Sequence, residues 1–150
     1  MYYVIVVGLM LVAPALSLAV ETFALGGPFG AVSIAKWFVF WGVGWRLFVA
    51  GLKQIFQPRY TANLLGLESD ESLILVRELG FANVAMGTAG IASLLVPGWT
   101  MAIALAGGLF YLFAGVNHAL RPHANSRERL AMISDLLMAV VLLGALAASA

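Results

Sequence analysis

Residues 99–120 read WTMAIALAGGLFYLFAGVNHAL and contain no Asp, Glu, Lys or Arg. A helix needs about 20 mostly apolar residues to cross the hydrocarbon core of a bilayer, so this stretch predicts a transmembrane helix. The turn residues Pro97-Gly98 precede it, and Arg121-Pro122 follow it. Because these breakers stand at both ends, the stretch predicts a single crossing of the membrane.

Four further apolar stretches of similar length accompany this one, three before it and one after it. Only 10% of the 150 residues are charged, whereas about a quarter are charged in soluble proteins. Water is therefore not the main solvent of the chain. Five spans with short connections use up its length, so we expect one all-α transmembrane domain, an integral membrane bundle over residues 1–150. The predicted helices cover residues 2–20, 33–56, 72–96, 99–120 and 126–149.

The connections carry signals for turns and helix ends. Residues 57–72 are the longest polar segment and predict the loop between the second and third spans. Ser69, followed by two acids, predicts a cap for the third span, and Asn125-x-x-Glu128 resembles a capping box that opens the fifth. Pro14 predicts a kink in the first span, which we expect to remain uncleaved because no Lys or Arg precedes it.

The cations are distributed unevenly between the two ends of the predicted bundle. Lys and Arg concentrate in short cytoplasmic loops, so we expect a cytoplasmic amino terminus in a multi-pass protein of the bacterial inner membrane. Trp37 and Trp99 fall at the opposite boundary, where indole rings favour the headgroup level. The cations at the cytoplasmic end are Lys53, Arg59, Arg121, Arg127 and Arg129, and the cation at the other end is Lys36.

Four ionisable residues of the predicted spans are candidates for positions inside the bilayer, namely Arg46, Glu78, His118 and Asp135. A charge near the bilayer centre costs about 3 kcal/mol on insertion scales, so such residues indicate function by default. At about 1.5 Å per residue, Glu78 and Asp135 lie about 9 Å inside the cytoplasmic ends of their helices, and Arg46 about 15 Å. We expect them to share one polar layer with His118 in the cytoplasmic half of the bundle.

This polar layer has two interpretations. Either Arg46 pairs with Glu78 or Asp135 as a buried ion pair that fixes helix register, or the layer is a site for a ligand, ion or proton. Two carboxylates and an imidazole at staggered depth suit a proton relay. Glu78, His118 and Asp135 also offer ligand atoms for a divalent metal, but they lie on three different helices. The sequence therefore does not identify a metal.

Asn83 lies deeper in the third span, on the face of Gly80, Gly87 and Gly90. Small residues let helix backbones approach closely, so we expect this face to pack against another helix. Asn83 then either bridges two helices or joins the ligand site. Tyr111 in the fourth span is expected to face the interior, as a core aromatic or as part of a ligand pocket.

The second span carries Trp37, Trp41 and Trp45 at intervals of four residues. A helix face this aromatic can form the wall of a site for a flat hydrophobic ligand such as a quinone. Aromatic side chains also face lipid or pack at protein interfaces. Trp41 and Trp45 are therefore candidates for an aromatic pocket or for contact with a partner.

No sequence motif indicates catalysis. The chain has no Cys, which excludes disulfides and thiol catalysis, and it contains no Walker loop, dinucleotide fingerprint, serine elbow or HExxH pattern. No nucleophile stands beside the intramembrane acids, and no cofactor is indicated. The net charge of +1 gives no support for nucleic-acid binding. These observations favour a protein that is not an enzyme.

Three segments carry a resemblance to a known family, namely residues 78–87 (ELGFANVAMG), Asn117-His118 and Ser134-Asp135. On these segments the chain resembles a family of small bacterial membrane proteins of unknown function that is distantly similar to DoxX-like membrane proteins. The resemblance implies a helical architecture over the second to fifth spans, and the DoxX link implies a redox or quinone-linked accessory role. Family members carry a Gly-His pair at the end of the second helix, where this chain has Gly51-Leu52-Lys53, so a two-histidine site is not expected.

The sequence supports three functional hypotheses. The first is a protein that binds a small ligand, ion or proton in the polar layer, or assists a larger membrane complex. The second is a quinone-linked redox enzyme or its subunit. The third is a structural subunit whose tryptophan face contacts a second copy or another membrane protein. The candidate ligand- or proton-binding residues are Arg46, Glu78, Asn83, His118 and Asp135, and the aromatic candidates are Trp41, Trp45 and Tyr111.

Overall fold

The computed structural model describes residues 2–120 and 126–149, which form helices and short connections without any strand. Five of the helices in these ranges are long and apolar enough to cross a membrane. The predicted all-α membrane bundle of five spanning helices is therefore confirmed. In chain order, the helices are α1 (Tyr2–Ala24), α2 (Ala31–Phe56), α3 (Pro58–Leu64), α4 (Ser72–Ala92), α5 (Thr100–Ala119) and α6 (Ser126–Ser149).

The helix ends differ most from the sequence prediction in two places. Helix α1 was predicted to end at residue 20, but it continues to Ala24 through a π-helical turn at Val20–Ala24. Helix α4 ends at Ala92, where a turn begins, and a short 3₁₀ helix at Pro97–Trp99 leads into α5. The capping box proposed at Asn125 lies outside the described residues.

The polar segment after the second span is not a plain loop, because it contains the short helix α3. Pro58 stands in its first turn, where the missing amide hydrogen costs nothing. Pro58 and Ala62 are buried while Arg59 and Asn63 are exposed, so α3 is amphipathic and lies against the end of the bundle. An ion pair from Arg59 to Asp70 ties it to the segment before α4.

The start of α4 is stabilised by the residues that the sequence suggested. The Ser72 amide donates a hydrogen bond to the Ser69 hydroxyl over 3.4 Å. Hydrogen bonds from its own backbone amide and from Ser69 hold the pKa of the exposed Glu71 carboxyl below its usual value. Both contacts satisfy groups at a helix amino terminus, where negative charge is favoured.

Helices α1 and α2 are interrupted by π-helical turns, at Gly8–Val12 and Val20–Ala24 in α1 and at Val39–Trp45 in α2. The first turn directly precedes Pro14, which has no amide hydrogen to donate to the carbonyl of Met10. A wider turn accommodates this missing bond. The helix is therefore irregular just before Pro14, while the kink expected there stays a prediction.

Helices α2 and α4 pack backbone to backbone through glycines. A Cβ atom placed on Gly87 would lie 2.5 Å from the amide nitrogen of Phe48, and one on Gly90 would lie 2.7 Å from Cα of Gly44. Likewise, a Cβ on Gly51 would lie 2.6 Å from the Gly80 carbonyl oxygen. No side chain fits at these positions, so the close-packing face predicted for the third span is confirmed.

Candidate functional site

A cavity of about 340 Å³ lies at the end of the bundle where α1, α4 and α6 begin and α2 and α5 end. Helix α3 covers it, and all five spanning helices contribute to its lining. Part of the wall is apolar, formed by side chains such as Ile5, Leu47 and Phe110. The rest carries charges and hydrogen-bonding groups, which is unusual at membrane depth.

Arg46 and Asp135 line the deep part of this cavity from α2 and α6. Arg46 opens the regular stretch Arg46–Phe56, which places it about 15 Å from the end of α2. Asp135 lies about 14 Å along α6 from Ser126, farther in than the predicted distance of about 9 Å. Each residue therefore lies well inside its own helix. Asp135 is also buried, with 8% of its surface exposed.

Arg46 and Asp135 do not form an ion pair with each other. The ion pairs found between residues of 2–120 and 126–149 are Lys36 with Glu21 and Arg59 with Asp70, so no charged group within these ranges lies within 4.0 Å of Arg46 or Asp135. The Nε atom of Arg46 is buried with no hydrogen-bond partner. The close ion pair expected as one interpretation of the layer is therefore not formed.

The π-helical turn in α2 positions Arg46. The Arg46 amide donates to the carbonyls of Trp41 and Val43, so the carbonyl of Gly42, its partner in a regular α-helix, is available. The Tyr111 hydroxyl of α5 donates a hydrogen bond to this Gly42 carbonyl. The Tyr111 hydroxyl thus satisfies the backbone carbonyl that the π-helical turn leaves without a bond from Arg46.

Tyr111 is thus both a core residue and a lining residue. It is 2% exposed and packs with the buried core around Met138 and Leu142, as the core alternative predicts. Its ring also borders the cavity.

A buried amide pair closes the α2–α4 side of the cavity. The Asn83 side-chain nitrogen donates to the Gln54 side-chain oxygen over 2.8 Å, and both residues are buried and line the cavity. The interhelical bridge expected as one alternative for Asn83 is present. Gln54 was missed from the sequence, although a glutamine eight residues after Arg46 falls near the same helix face.

The shallow part of the cavity contains further ionisable side chains. His118 lines it from the last turn of α5, and Arg127 and the buried Glu128 line it from the first turn of α6. Lys53 of α2 lies over the Tyr60 ring of α3, with its Nζ atom 3.5 Å from the ring centre. This cation–π contact attaches the covering helix, and the sequence did not predict it.

Glu78 does not join this group. It is exposed on the outer surface of α4 and does not line the cavity, in contrast to the interior position expected for it. The buried face of α4 includes Val76 and Gly80, and Glu78 lies two residues from each. At about 100° per residue, it therefore points about 200° away from that face. Among the described residues, no three His, Asp or Glu side chains are grouped so as to hold a metal ion.

The tryptophan stripe of α2 also lies away from the cavity. The Trp41 indole donates a hydrogen bond to the Ser17 hydroxyl of α1 over 2.9 Å, and Trp45 makes an edge-to-face contact with Phe48. Neither Trp41 nor Trp45 lines the cavity. At the far end of the bundle, the Trp37 indole donates to Glu21, so the stripe in part joins α2 to α1.

A shallower outer cavity of about 470 Å³ borders the inner one. Tyr60, Leu64 and Arg127 line both cavities. The outer cavity is completed by Tyr3, Asn63 and Ser126. The shared residues therefore mark a route from the surface to the inner cavity, past the amino end of α6.

One family profile matches the entire sequence, residues 1–150. The chain belongs to the DUF6790 family. The function of DUF6790 is unknown, so the expected resemblance to a small family of unknown function is confirmed. The likeness of the chain to DoxX-like proteins stays a prediction. No curated protein and no solved structure matches this DUF6790 chain.

Proposed function

We propose that the protein binds a small molecule in the cavity at this end of the membrane bundle. The observation that supports the proposal is that Arg46 and Asp135 line one cavity without pairing with each other. Charges inside a membrane are costly and mark sites by default. A pair kept only for register would be expected in direct contact, because separation leaves each charge poorly compensated.

The size and lining of the cavity favour an organic molecule over a bare ion. Its volume of about 340 Å³ lies within the range of about 300–1,000 Å³ usual for small-molecule pockets. The apolar side chains of Leu47 and Phe110 border the same space as Arg46 and Asp135. An amphipathic molecule is the type of ligand that satisfies both kinds of surface.

The proposal includes an orientation, with this end of the bundle in the cytoplasm of a bacterium and the protein in its inner membrane. Support comes from the cations Lys53, Arg59, Arg127 and Arg129, which belong to the helix ends and connections at the cavity end of the bundle. The positive-inside rule places such an end in the cytoplasm. The ligand would then enter from the cytoplasmic side.

Single cysteines test this orientation directly, because the chain has none. We expect Phe29→Cys, between α1 and α2, to react with a membrane-impermeant maleimide in intact cells. Ser69→Cys, before α4, is expected to react only after the inner membrane is permeabilised. Both native residues are exposed, so the two sites are comparable. The reverse labelling pattern would place the cavity on the outer side.

Native mass spectrometry of the gently purified protein tests the proposed function. We expect one small molecule to be bound to each chain. Collisional activation should release it, and its fragmentation spectrum should identify it. The Arg46→Gln, Asp135→Asn double variant removes both charges and is expected to lose that mass while retaining helical circular dichroism. A wild-type spectrum with no bound mass, or a mass equally retained by the folded double variant, would refute ligand binding in this cavity.

A further inference from the structure

Several polar groups of the cavity bond to protein groups, whereas Arg46 and Asp135 form no ion pair with a described residue. The amides of Gln54 and Asn83 bond to each other, Tyr111 donates to Gly42, and Lys53 lies over the Tyr60 ring. Contacts within the described ranges supply Arg46 and Asp135 with no ion pair. The inference that follows rests on the proposed function and concerns the chemistry of the ligand.

The two opposite charges constrain the charge of the ligand. A guanidinium offers five N–H donors in a planar fork, and a carboxylate offers only acceptors. A ligand with an anionic group alone would bond to Arg46 but would bring a like charge near Asp135. A ligand with a cationic group alone would bond to Asp135 and be repelled by Arg46. Like charges placed together in a poorly solvated site are strongly disfavoured.

A ligand that carries both charges avoids each of these conflicts. Its anionic group would accept charge-assisted hydrogen bonds from Arg46, and its ammonium group would donate to Asp135. The charges of the ligand would cancel, as do those of Arg46 and Asp135, which limits the cost of placing charges at membrane depth. Its apolar part would lie along Leu47 and Phe110, which border the same cavity.

We propose that the cavity binds a small amphipathic zwitterion, with its anionic group on the Arg46 guanidinium and its ammonium group on the Asp135 carboxylate. A free amino acid with an apolar side chain has this chemistry, and so does the ethanolamine headgroup of a phospholipid. The outer cavity beside Tyr60 and Arg127 gives either molecule an approach from the membrane surface.

Matched probes test the charge requirement on the unmodified protein in detergent. The free-molecule arm compares L-leucine with leucinamide, which lacks the anion, and with 4-methylpentanoate, which lacks the ammonium. The lipid arm compares lysophosphatidylethanolamine with lysophosphatidylcholine, whose quaternary ammonium has no N–H to donate. In at least one arm we expect the complete zwitterion to bind about tenfold or more tightly than its analogues, because each lost charge-assisted bond weakens affinity by that order. The arm that responds identifies the source.

Two variants test whether Arg46 and Asp135 contact the ligand, because a purely structural role would not change the order of the probe affinities. Arg46→Gln is expected to weaken binding of the zwitterion about tenfold or more while leaving leucinamide binding equal or improved. Asp135→Asn is expected to weaken binding of the zwitterion to the same extent while leaving the affinity for 4-methylpentanoate equal or improved. Arg77→Gln and Glu68→Gln remove charges of the same sign from exposed positions outside the cavity, and we expect wild-type affinities from both.

Three results would overturn the inference. The first is that, in both arms, an analogue binds the wild-type protein as tightly as the complete zwitterion of that arm. The second is that neither L-leucine nor lysophosphatidylethanolamine binds. The third is that the folded Arg46→Gln and Asp135→Asn variants bind the probes in the same order of affinity as the wild type. If native mass spectra still show a molecule that the wild type binds and the double variant does not, only the zwitterion is excluded. If the wild-type spectra show no such molecule, the proposed function is refuted as well.

Discussion

Replacing Gly87 with leucine is expected to destabilise the bundle severely, by about 3 kcal/mol or more, at the upper end of the range for overpacking. A Cβ atom at this position would lie 2.5 Å from the Phe48 amide nitrogen and 2.8 Å from the Gly44 carbonyl oxygen. Both are backbone atoms of α2, so no side-chain rotation relieves the clash. The helices must separate, and the neighbouring contact between Gly90 and Gly44 is lost with them.

The same substitution at Gly144 is the matched control. Gly144 lies in α6 and is exposed, and a Cβ atom there would have no neighbour within 4 Å. An added leucine side chain would face lipid, so we expect Gly144→Leu to melt close to wild type. Thermal unfolding in maltoside detergent, followed by circular dichroism, compares the two. Equal melting temperatures for Gly87→Leu and Gly144→Leu would contradict the close packing of α2 and α4.

Replacing Ala114 with phenylalanine is expected to abolish ligand binding without unfolding the protein. Ala114 lines the cavity from α5, and a phenyl ring there would occupy part of the space of about 340 Å³. The ring enters a cavity and not the packed core, so the overpacking cost should be small. Native mass spectrometry should show the bound mass in the wild type and not in the variant.

Ala106→Phe is the control for this experiment. Ala106 stands on the same helix but is exposed and outside the cavity, so its phenyl ring would face lipid. We expect this variant to keep both the bound mass and the wild-type melting temperature. Retention of the ligand by a folded Ala114→Phe variant would mean that the molecule binds elsewhere.

The sequence was sufficient to predict the spanning helices and much of the interior. A bilayer requires long apolar stretches, which makes segments such as residues 99–120 recognisable without any structure. The cost of membrane charges likewise pointed to Arg46, His118 and Asp135, and all three line the cavity. The small residues of the third span predicted its close contact, because only glycine permits the backbone distances found at Gly87.

The remaining features depend on geometry that residue types do not specify. Glu78 has the same chemistry as Asp135, and only the rotation of α4 about its axis decides that it faces outward. The π-helical turn before Arg46 follows no residue pattern that distinguishes it from a regular helix. Helix α3 is too short to show a hydrophobic period, so the cover of the cavity, including the Lys53–Tyr60 contact, was missed.

The most direct measurement of the central claim is a crystal structure grown in a lipid mesophase from protein that has not been stripped of bound molecules. We predict continuous non-protein density between the Arg46 guanidinium and the Asp135 carboxylate, in hydrogen-bond contact with both and bordered by Leu47 and Phe110. A direct Arg46–Asp135 ion pair with the cavity collapsed around it would contradict the claim and assign the two charges a structural role.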